Sequence, residues 1–526
     1  MSSVSEAVVR VPVGSVRTMV RSGLASSAGN ALVNAINVGR DAAIALAFGT
    51  DVMVDALFLA IMLPVFLLTV GTSAYRSTVI PLLEKARHAS GAMAVQRMVG
   101  RCMAVNVPIV VGAGAVLAMG APLYAPLIAG NLSQEAATSI QWLTWAAVPM
   151  FVLSGYATLV EGPLQTQGLF FLPSIIRAGM PLGMALGAVL LGPHVGILGV
   201  CYGGLVGSAV QLLLASMLLS QQGMLQGVWT PLDRGLAHEV RGQFVLLCAG
   251  VSLSYISPLI DQWMASFLGA GSVSTLGYAN RLVVGAASLS VGALGPALLP
   301  HFSKLVARGD TQGLNTHYMA VMRLTVWGSV GLTGMVWLVS EPVVALLYEH
   351  GNFTHADSLA VAGIMGWLSL QFPVLLVGII AATLLSAVSM NAVFIPLSVL
   401  VATVKISANF LLMQWYGLAG IALSTAAAYT VSLVFMHVML VRRGVIRLLP
   451  AVWGDGAIST GTAAVLAVTL VFVGGKPSTM PSGQQVVLSV LGFGLYALIA
   501  YRMTKPALVK MGLISSRSAA QPSGTS

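Results

Sequence analysis

The chain has 526 residues, of which 57% are hydrophobic and only 8% are charged, and its mean hydropathy is +0.91. A soluble globular protein carries about 25% charged residues, so this composition excludes that class and indicates a polytopic membrane protein. Inside a bilayer only helices and closed barrels satisfy their backbone groups. The apolar runs are long and continuous, without the alternation of barrel strands, so the sequence predicts an all-α fold.

Fourteen apolar segments are predicted to span the membrane, centred near residues 36, 66, 112, 149, 182, 208, 254, 288, 331, 372, 402, 428, 464 and 493. Each approaches the roughly 20 residues that a spanning helix needs. The predicted organisation is a cytoplasmic amino-terminal segment (1–21), a six-span lobe (22–222), a cytoplasmic linker (223–238), a second six-span lobe (239–445), two further spans (446–505) and a cytoplasmic tail expected to be disordered (506–526).

Basic residues and an internal repeat complete this topology. Lysine and arginine concentrate in both termini and after even-numbered spans, which predicts cytoplasmic termini and accounts for the net charge of +10 without nucleic-acid binding. A shift of 219 residues pairs Pro81 with Pro300 and Lys85 with Lys304. Six spans separate equivalent points, so the repeat is parallel, and two such bundles are a transporter architecture.

Sequence motifs for catalysis are missing. No predicted loop is longer than about 20 residues, whereas a soluble domain takes roughly 50–250. The chain has no metalloprotease, P-loop or nucleophile-elbow motif, and its three cysteines show no metal-ligand spacing. We therefore expect a protein that is not an enzyme, without a cofactor, and without a metal site unless a cation binds near Asp261.

Arg40 and Asp41 stand side by side in the first span, where charges normally face a bundle interior or a watery cavity. Neighbours on a helix point about 100° apart, so we expect them to have separate partners, with Asp55 a candidate for Arg40. Snorkelling to an interface is the alternative for Arg40. For Arg281, at the start of the eighth span, a cavity position and an interfacial anchor are equally good interpretations.

Asp261 follows Pro258, which interrupts the helical hydrogen bonds of the seventh span, and a broken helix beside a carboxylate suits a cation or proton site. Lys405 and Asn409 are four residues apart on the eleventh span and share a face. We hypothesise that this face meets Asp261 and that the lysine ammonium replaces a bound cation. Lys405 could instead reach an anionic substrate, or the pair could be purely structural.

Bases outnumber acids near membrane depth. The bases are Arg40, Arg76, Arg177, Arg281 and Lys405, and the acids are Asp41, Asp55 and Asp261. Arg76 and Arg177 lie nearer the cytoplasmic ends of their spans, so snorkelling is expected for both. Because the planar fork of arginine suits phosphate and diphosphate, the excess of bases favours an anionic substrate over organic cations.

Several segments resemble the MurJ/MviN family of lipid II flippases, part of the MATE-like superfamily of multidrug, oligosaccharidyl-lipid and polysaccharide exporters. They are GRDAAIALAFGTDVMVDALFLAIMLP, ASFLGAGSVSTLGYANRLVV, GPALLPHFSKLVARGD and EPVVALLYEHGNFTHAD. The resemblance covers about residues 20–445. It implies that an undecaprenyl-pyrophosphate-linked saccharide moves from the cytoplasmic to the outer leaflet of the bacterial inner membrane by alternating access.

The resemblance also assigns residues. The Arg-Asp motif of the family falls on Arg40 and Asp41, its second-span acid on Asp55, and its eighth-span cavity arginine on Arg281. Some members bind sodium with an acid of the seventh span and polar residues of the eleventh. Here that set would be Asp261, Lys405 and Asn409, so coupling to Na⁺, H⁺ or the membrane potential is expected.

Three departures mark a divergent member of the family. Asn34 stands where an arginine is frequent, Leu67–Gly71 where an arginine pair is frequent, and Leu282, Val283 and Val284 where a glutamate is frequent. Much of the usual cationic clamp is thus missing, so the substrate is either lipid II or a lipid intermediate of an exopolysaccharide or capsule.

The sequence therefore predicts a flippase for a polyprenyl-pyrophosphate-linked saccharide. A cation-coupled small-molecule exporter of the MATE-like kind is the alternative, and a non-transporting membrane scaffold is a third hypothesis. The expected partners are the anionic lipid-linked saccharide, the bilayer, and proteins of cell-wall or polysaccharide synthesis.

Overall fold

The computed structural model describes residues 13–166, 169, 171–224, 234–446, 494–496, 498–502 and 504–505. Over these residues the regular structure is helical and includes no strand, so the all-α prediction is confirmed. The helices are α1 Val13–Phe48, α2 Val52–Ile128, α3 Gln134–Leu159, α4 Glu161–Thr166, α5 Phe171–Ile176, α6 Gly179–Leu186, α7 Gly192–Val195, α8 Leu198–Gln221, α9 Arg234–Ala265, α10 Ser272–Ala307, α11 Thr311–Tyr348, α12 His355–Ser369, α13 Phe372–Ala387, α14 Phe394–Tyr416 and α15 Leu418–Arg442. A π-helical turn (Gly187–Leu191) and two 3₁₀ turns (Ser266–Leu268 and Asn391–Val393) join some of them.

Ten stretches of the described chain are long and apolar enough to cross a membrane. They coincide with the first six and the ninth to twelfth predicted spans, and α9 and α10 cover the centres of the seventh and eighth. Most of the predicted spans thirteen and fourteen lie outside the described residues, as do 1–12, 225–233 and 506–526. The chain is therefore a multi-pass membrane protein, and the count of fourteen spans stays a prediction.

Helix α2 contains two of these stretches, Val52–Lys85 and Val95–Ile128. The hydroxyl of Tyr75 donates to the sulfur of Met103 at 3.9 Å. In a straight helix two residues 28 apart would be separated by about 42 Å. The chain therefore folds back on itself between the two stretches and forms a hairpin.

The chain divides into two compact units. The first comprises Met1–Ile44, Ala60–Ala125 and Ile140–Ser252, and the second comprises Ala45–Leu59, Pro126–Ser139 and Leu253–Ser526. The turn between α1 and α2 therefore belongs to the second unit. The lobe boundaries predicted from the sequence stay a prediction.

In the first unit, glycines bring α6 and the π-helical turn against α8. Gly179, Gly183 and Gly187 face Gly203 and Gly207, and a Cβ on any of them would lie less than 3.0 Å from backbone of the opposite segment. Small residues at four-residue spacing let membrane helices approach this closely, where dispersion and weak C–H hydrogen bonds hold them. Bulk at these positions would separate the helices.

In the second unit, α10, α11, α13 and α15 surround one apolar core that includes Phe302, Ile380 and Leu440. The hydroxyl of Tyr318 lies 3.0 Å from Nε2 of His437, so the polar tip of a buried aromatic side chain is satisfied within this core. The core packs against α14 and α15, and these two helices carry Lys405, Asn409 and the hydroxyl groups that meet Asp261 of α9 in a buried ionic site.

Candidate substrate and coupling sites

Arg40 and Asp41 form a direct ion pair. Nε and Nη2 of Arg40 donate to Oδ1 of Asp41 at 2.8 and 2.5 Å, and the side chains are only 9% and 3% exposed. The two side chains meet, contrary to the expectation from helix geometry that they do not face each other, because the long arginine side chain folds back and brings its guanidinium to the adjacent carboxylate. The result is a buried cation of the first unit held beside its own counterion.

Asp55 is fully buried in the second unit and caps a helix. Its Oδ2 accepts from the backbone N–H of Gly271 at 2.6 Å, and its Oδ1 accepts from that of Ser274 at 2.7 Å. The amino-terminal end of α10 carries free N–H groups and a partial positive charge, which a carboxylate satisfies. Its observed role inside the second unit is therefore helix capping, and the pairing with Arg40, for which the sequence made it a candidate, stays a prediction.

The turn between α1 and α2 makes further polar contacts inside the second unit. Oγ1 of Thr50 donates to Oδ1 of Asp357 at 2.5 Å, and the hydroxyl of Tyr278 donates to the carbonyl of Gly49 at 3.2 Å. Asp357 also closes a capping box with Thr354 at the start of α12. Sequence reasoning missed these residues, although the T-x-x-D spacing is a recognisable helix-start signal.

Asp261, Lys405 and Asn409 meet in the second unit, in agreement with the hypothesis that the shared face of Lys405 and Asn409 contacts Asp261. Nζ of Lys405 lies 2.9 Å from Oδ1 of Asp261, and Nδ2 of Asn409 donates to the same oxygen at 2.8 Å. Lys405 and Asn409 are fully buried on α14. A buried lysine is stable here because a carboxylate compensates its charge.

Three residues of α15 complete the oxygen cage around the ammonium. Lys405 Nζ donates to the hydroxyl of Ser424 at 3.0 Å, to the carbonyl of Ile421 at 3.4 Å and to the hydroxyl of Thr425. Ser424 in turn donates to the amide oxygen of Asn409. Sequence reasoning missed these α15 residues, although adjacent Ser and Thr inside an apolar span were an available signal.

Arg281 lies in α10, ten residues after Gly271, and is half-buried. It belongs to the second unit, together with Asp55, whereas Arg40 and Asp41 belong to the first. The two arginines that the sequence proposed for the substrate cavity are therefore carried by different units.

Arg76 and Arg177 share one buried acid that sequence reasoning missed, Glu161, and these three residues form what we call the arginine cluster. Nη1 of Arg76 lies 3.3 Å from Oε2 of Glu161, and Nε of Arg177 lies 2.6 Å from Oε1. Arg76 also donates to Gln165 at 3.1 Å, and Arg177 donates to Asn30 at 2.5 Å. Both arginines are thus fixed by side chains rather than simply extended towards an interface.

The family model described as "Lipid II flippase MurJ" matches residues 44–491. A lipid II flippase MurJ of Burkholderia cenocepacia is 24% identical over 443 residues, which cover 82% of this chain and 85% of the relative. A probable lipid II flippase MurJ of Vibrio cholerae is 25% identical over 444 residues, covering 81% and 83%.

Solved structures agree at the level of the fold. The inward closed conformation of a lipid II flippase MurJ superposes with a TM-score of 0.75 at 20% identity, over 90% of this chain and 98% of that one. An inward-facing MATE family transporter superposes with a TM-score of 0.63 at 12% identity, over 78% and 95%. With a family model matched over most of its length, the chain belongs to the MurJ family of lipid II flippases.

Proposed function

We propose that this protein is a flippase that moves a polyprenyl-diphosphate-linked saccharide across the bacterial inner membrane by alternating access, with both termini in the cytoplasm. The observation that carries the proposal is the family match over residues 44–491. The excess of bases over acids within the spans supports it separately, because arginine suits an anionic substrate. The curated relatives bear the name lipid II flippase, and lipid II or a related lipid-linked saccharide is the substrate class that we infer.

Arg40 and Arg281 are the proposed contacts for the diphosphate or for the charge network that adjoins it. The ion pair with Asp41 keeps the Arg40 guanidinium oriented, and the planar fork of a guanidinium suits phosphate oxygens. Asp55 would act at a distance from the substrate, by holding the first turn of α10, the helix that carries Arg281.

The test is rescue of bacteria that are depleted of their own lipid II flippase. We expect the wild-type protein to restore growth and Arg40→Gln to fail at equal expression. Arg443→Gln is the matched control, because Arg443 is an exposed arginine just after α15, and it should rescue fully. Equal rescue by Arg40→Gln would remove Arg40 from the substrate path.

The same experiment separates the substrates. Failure of the wild-type protein to rescue, combined with loss of a surface polysaccharide when its gene is deleted, would assign it to an exopolysaccharide or capsule intermediate. If the wild-type protein does not rescue and deletion of its gene leaves surface polysaccharides intact, flux of organic cations in proteoliposomes would favour the MATE-like exporter. Partner proteins from cell-wall or polysaccharide synthesis follow from either lipid substrate.

We further propose that Lys405 is a resident cation that makes transport independent of sodium. The oxygen cage of Asp261, Ile421, Ser424 and Thr425 has the ligand type that suits Na⁺, and the ammonium already fills it. Transport by the wild-type protein in proteoliposomes should therefore be equal in sodium and in choline buffer. Lys405→Ala should become sodium-dependent, whereas a wild-type requirement for sodium would exclude the proposal.

A further inference from the structure

The first unit contains an apolar cavity of about 110 Å³. It is lined by two stretches of α2 (64–72 and 106–117), by 148–159 of α3, and by Phe244 of α9. The first of these stretches includes Leu67 to Gly71, where the family frequently has an arginine pair. In this chain that position is therefore part of a hydrocarbon surface.

Two polar side chains in the lining, Thr72 and Asn106, each donate a hydrogen bond to their own helix. Oγ1 of Thr72 donates to the carbonyl of Leu68 at 2.7 Å, and Nδ2 of Asn106 donates to the carbonyl of Cys102 at 2.7 Å. Both are bonds back to the preceding turn of the same helix, which leaves alkyl and aromatic surface facing the cavity. The cavity thus suits a short stretch of hydrocarbon chain.

The arginine cluster lies at one end of this cavity. Arg76 follows the lining residue Thr72 by four residues on α2, which is one helical turn or about 6 Å along the axis. Glu161 follows the lining residue Leu159 by two residues. An apolar cavity with cations at one end has the polarity of a lipid that carries an anionic head group.

The arginine cluster is built to hold an anion. Two guanidiniums share one carboxylate, so the cluster carries one net positive charge, and the carboxylate side chain is only 3% exposed. The Arg76 and Arg177 side chains are 35% and 27% exposed and so remain open to a ligand. The described contacts use fewer than half of their N–H donors.

We propose that the cavity and the arginine cluster form one binding site for a polyprenyl diphosphate. Arg76 and Arg177 would take the phosphate oxygens, and the apolar cavity would take the isoprenoid carbons next to them. The proposal deepens the proposed function, on which its choice of a polyprenyl chain rests. It adds diphosphate contacts at the turn after the cavity to those proposed for Arg40 and Arg281, in a chain whose Leu67–Gly71 lacks the arginine pair frequent in the family.

Binding of undecaprenyl diphosphate to the purified full-length protein, followed by native mass spectrometry, tests the site. Arg76→Gln and Arg177→Gln should each weaken binding at least about tenfold, the size expected for loss of a charge-assisted hydrogen bond. Arg443→Gln should leave it unchanged. Unchanged affinity in both cluster variants would overturn the proposal.

The apolar half is tested by filling the cavity. A Cβ on Gly71 meets no atom within 4 Å, so Gly71→Leu should fit without moving backbone and should weaken undecaprenyl diphosphate binding. Gly112→Leu is the matched control, because Gly112 is equally open and also lies on α2, but it is not one of the residues between 106 and 117 that line the cavity. Equal binding by Gly71→Leu and Gly112→Leu would overturn the proposal.

Three further probes identify the ligand. Undecaprenol lacks the phosphates, inorganic diphosphate lacks the chain, and phosphatidylglycerol has a different chain and head group. Each should bind at least tenfold more weakly than undecaprenyl diphosphate. The proposal would be overturned if the wild-type protein bound any of them as tightly as undecaprenyl diphosphate. The site would then recognise only the chain, only the diphosphate, or any anionic lipid.

A further variant separates loss of folding from loss of binding. Loss of both arginines leaves Glu161 buried without a counterion, so the triple variant Arg76→Gln/Glu161→Gln/Arg177→Gln removes the carboxylate as well and should fold. It must lose diphosphate binding. If the wild-type protein fails to rescue flippase-depleted cells and deletion of its gene leaves surface polysaccharides intact, but binding needs the cluster, the proposed function falls and the site stands. If the wild-type protein rescues those cells but the triple variant binds undiminished, the site falls and the proposed function stands.

Discussion

Asn131 and Asn352 each make the same two hydrogen bonds, at two equivalent turns of the second unit. The backbone N–H and the side-chain amide of Asn131 donate to the carbonyls of Ser266 and Phe267 at 3.2 and 2.9 Å. Both asparagines follow a glycine with positive φ in a G-N-[LF]-[ST] turn, a conformation that glycine adopts at little cost.

The matching bonds of Asn352 run to the end of α1. Its backbone N–H donates to the carbonyl of Leu46 at 3.0 Å, and its side-chain amide donates to that of Ala47 at 2.6 Å. The donors are related by a shift of 221 residues and the acceptors by a shift of 220, close to the repeat of 219 seen in the sequence. We call these two turns the asparagine clasps.

Removing either asparagine clasp should lower the free energy of unfolding by the same amount. Asn131→Ala and Asn352→Ala each delete one side-chain hydrogen bond to a backbone carbonyl, so each should lower the free energy of unfolding by about 1 kcal/mol. Thermal unfolding in detergent measures the loss. Asn391→Ala is the control, since Asn391 is exposed, and it should leave the midpoint unchanged. A loss of stability in only one of the two variants would show that the two clasps do not contribute equally to the free energy of unfolding.

Asp55 should prove a helix-capping residue. Asp55→Ala leaves the N–H groups of Gly271 and Ser274 without their acceptor, at about 1–3 kcal/mol for each that stays buried. Asp55→Asn keeps one oxygen acceptor and should lose about half as much. Glu135→Gln, an exposed acid in the first turn of α3, is the control for loss of charge. Hydrogen exchange at the start of α10 should rise in step with the lost stability.

Gly203 tests the close packing of α6 and α8. Gly203→Ala puts a Cβ against backbone of α6 and the π-helical turn, and this atom cannot be accommodated by a rotamer change. We expect the thermal midpoint to fall, as overpacking typically costs about 1–3 kcal/mol. Gly334→Ala, where a Cβ meets nothing within 4 Å, should be neutral or slightly stabilising because alanine favours the helix. Equal effects at both positions would contradict the packing argument.

The fold class and the buried ionic site could be predicted because they depend on composition and on helix periodicity. Lys405 and Asn409 share a face whatever else the chain does, and a buried cation needs a carboxylate such as Asp261. The Arg40–Asp41 pair was mispredicted because Cβ directions do not fix where a long flexible side chain ends.

Composition and helix periodicity could not identify residues whose partners are backbone groups or side chains of distant segments. Asp55 caps α10 because the tertiary fold places the first turn of that helix beside it. Sequence periodicity does not give this placement. A glutamate at the end of a span is usually solvated, and only the approach of Arg76 and Arg177 makes Glu161 buried and paired.

Lys405 and Asp261 should depend on each other for stability. Lys405→Ala leaves Asp261 in its cage without the ammonium, so the free energy of unfolding should fall by about 3–5 kcal/mol in sodium-free buffer. The double variant Asp261→Asn/Lys405→Met has no buried charge and should recover most of that loss, because the pair gains little over a neutral replacement of similar size.

Added sodium then discriminates the cage from a simple ion pair. Na⁺ that binds only the folded state should raise the thermal midpoint of Lys405→Ala in proportion to the logarithm of its concentration, once this exceeds the dissociation constant. The wild-type protein, whose ammonium fills the cage, and the double variant, which has lost the carboxylate, should show no such rise. Potassium or choline at the same ionic strength controls for screening. A sodium response shared by all three proteins would mean that the ion binds elsewhere and that Lys405 is a structural partner of Asp261 alone.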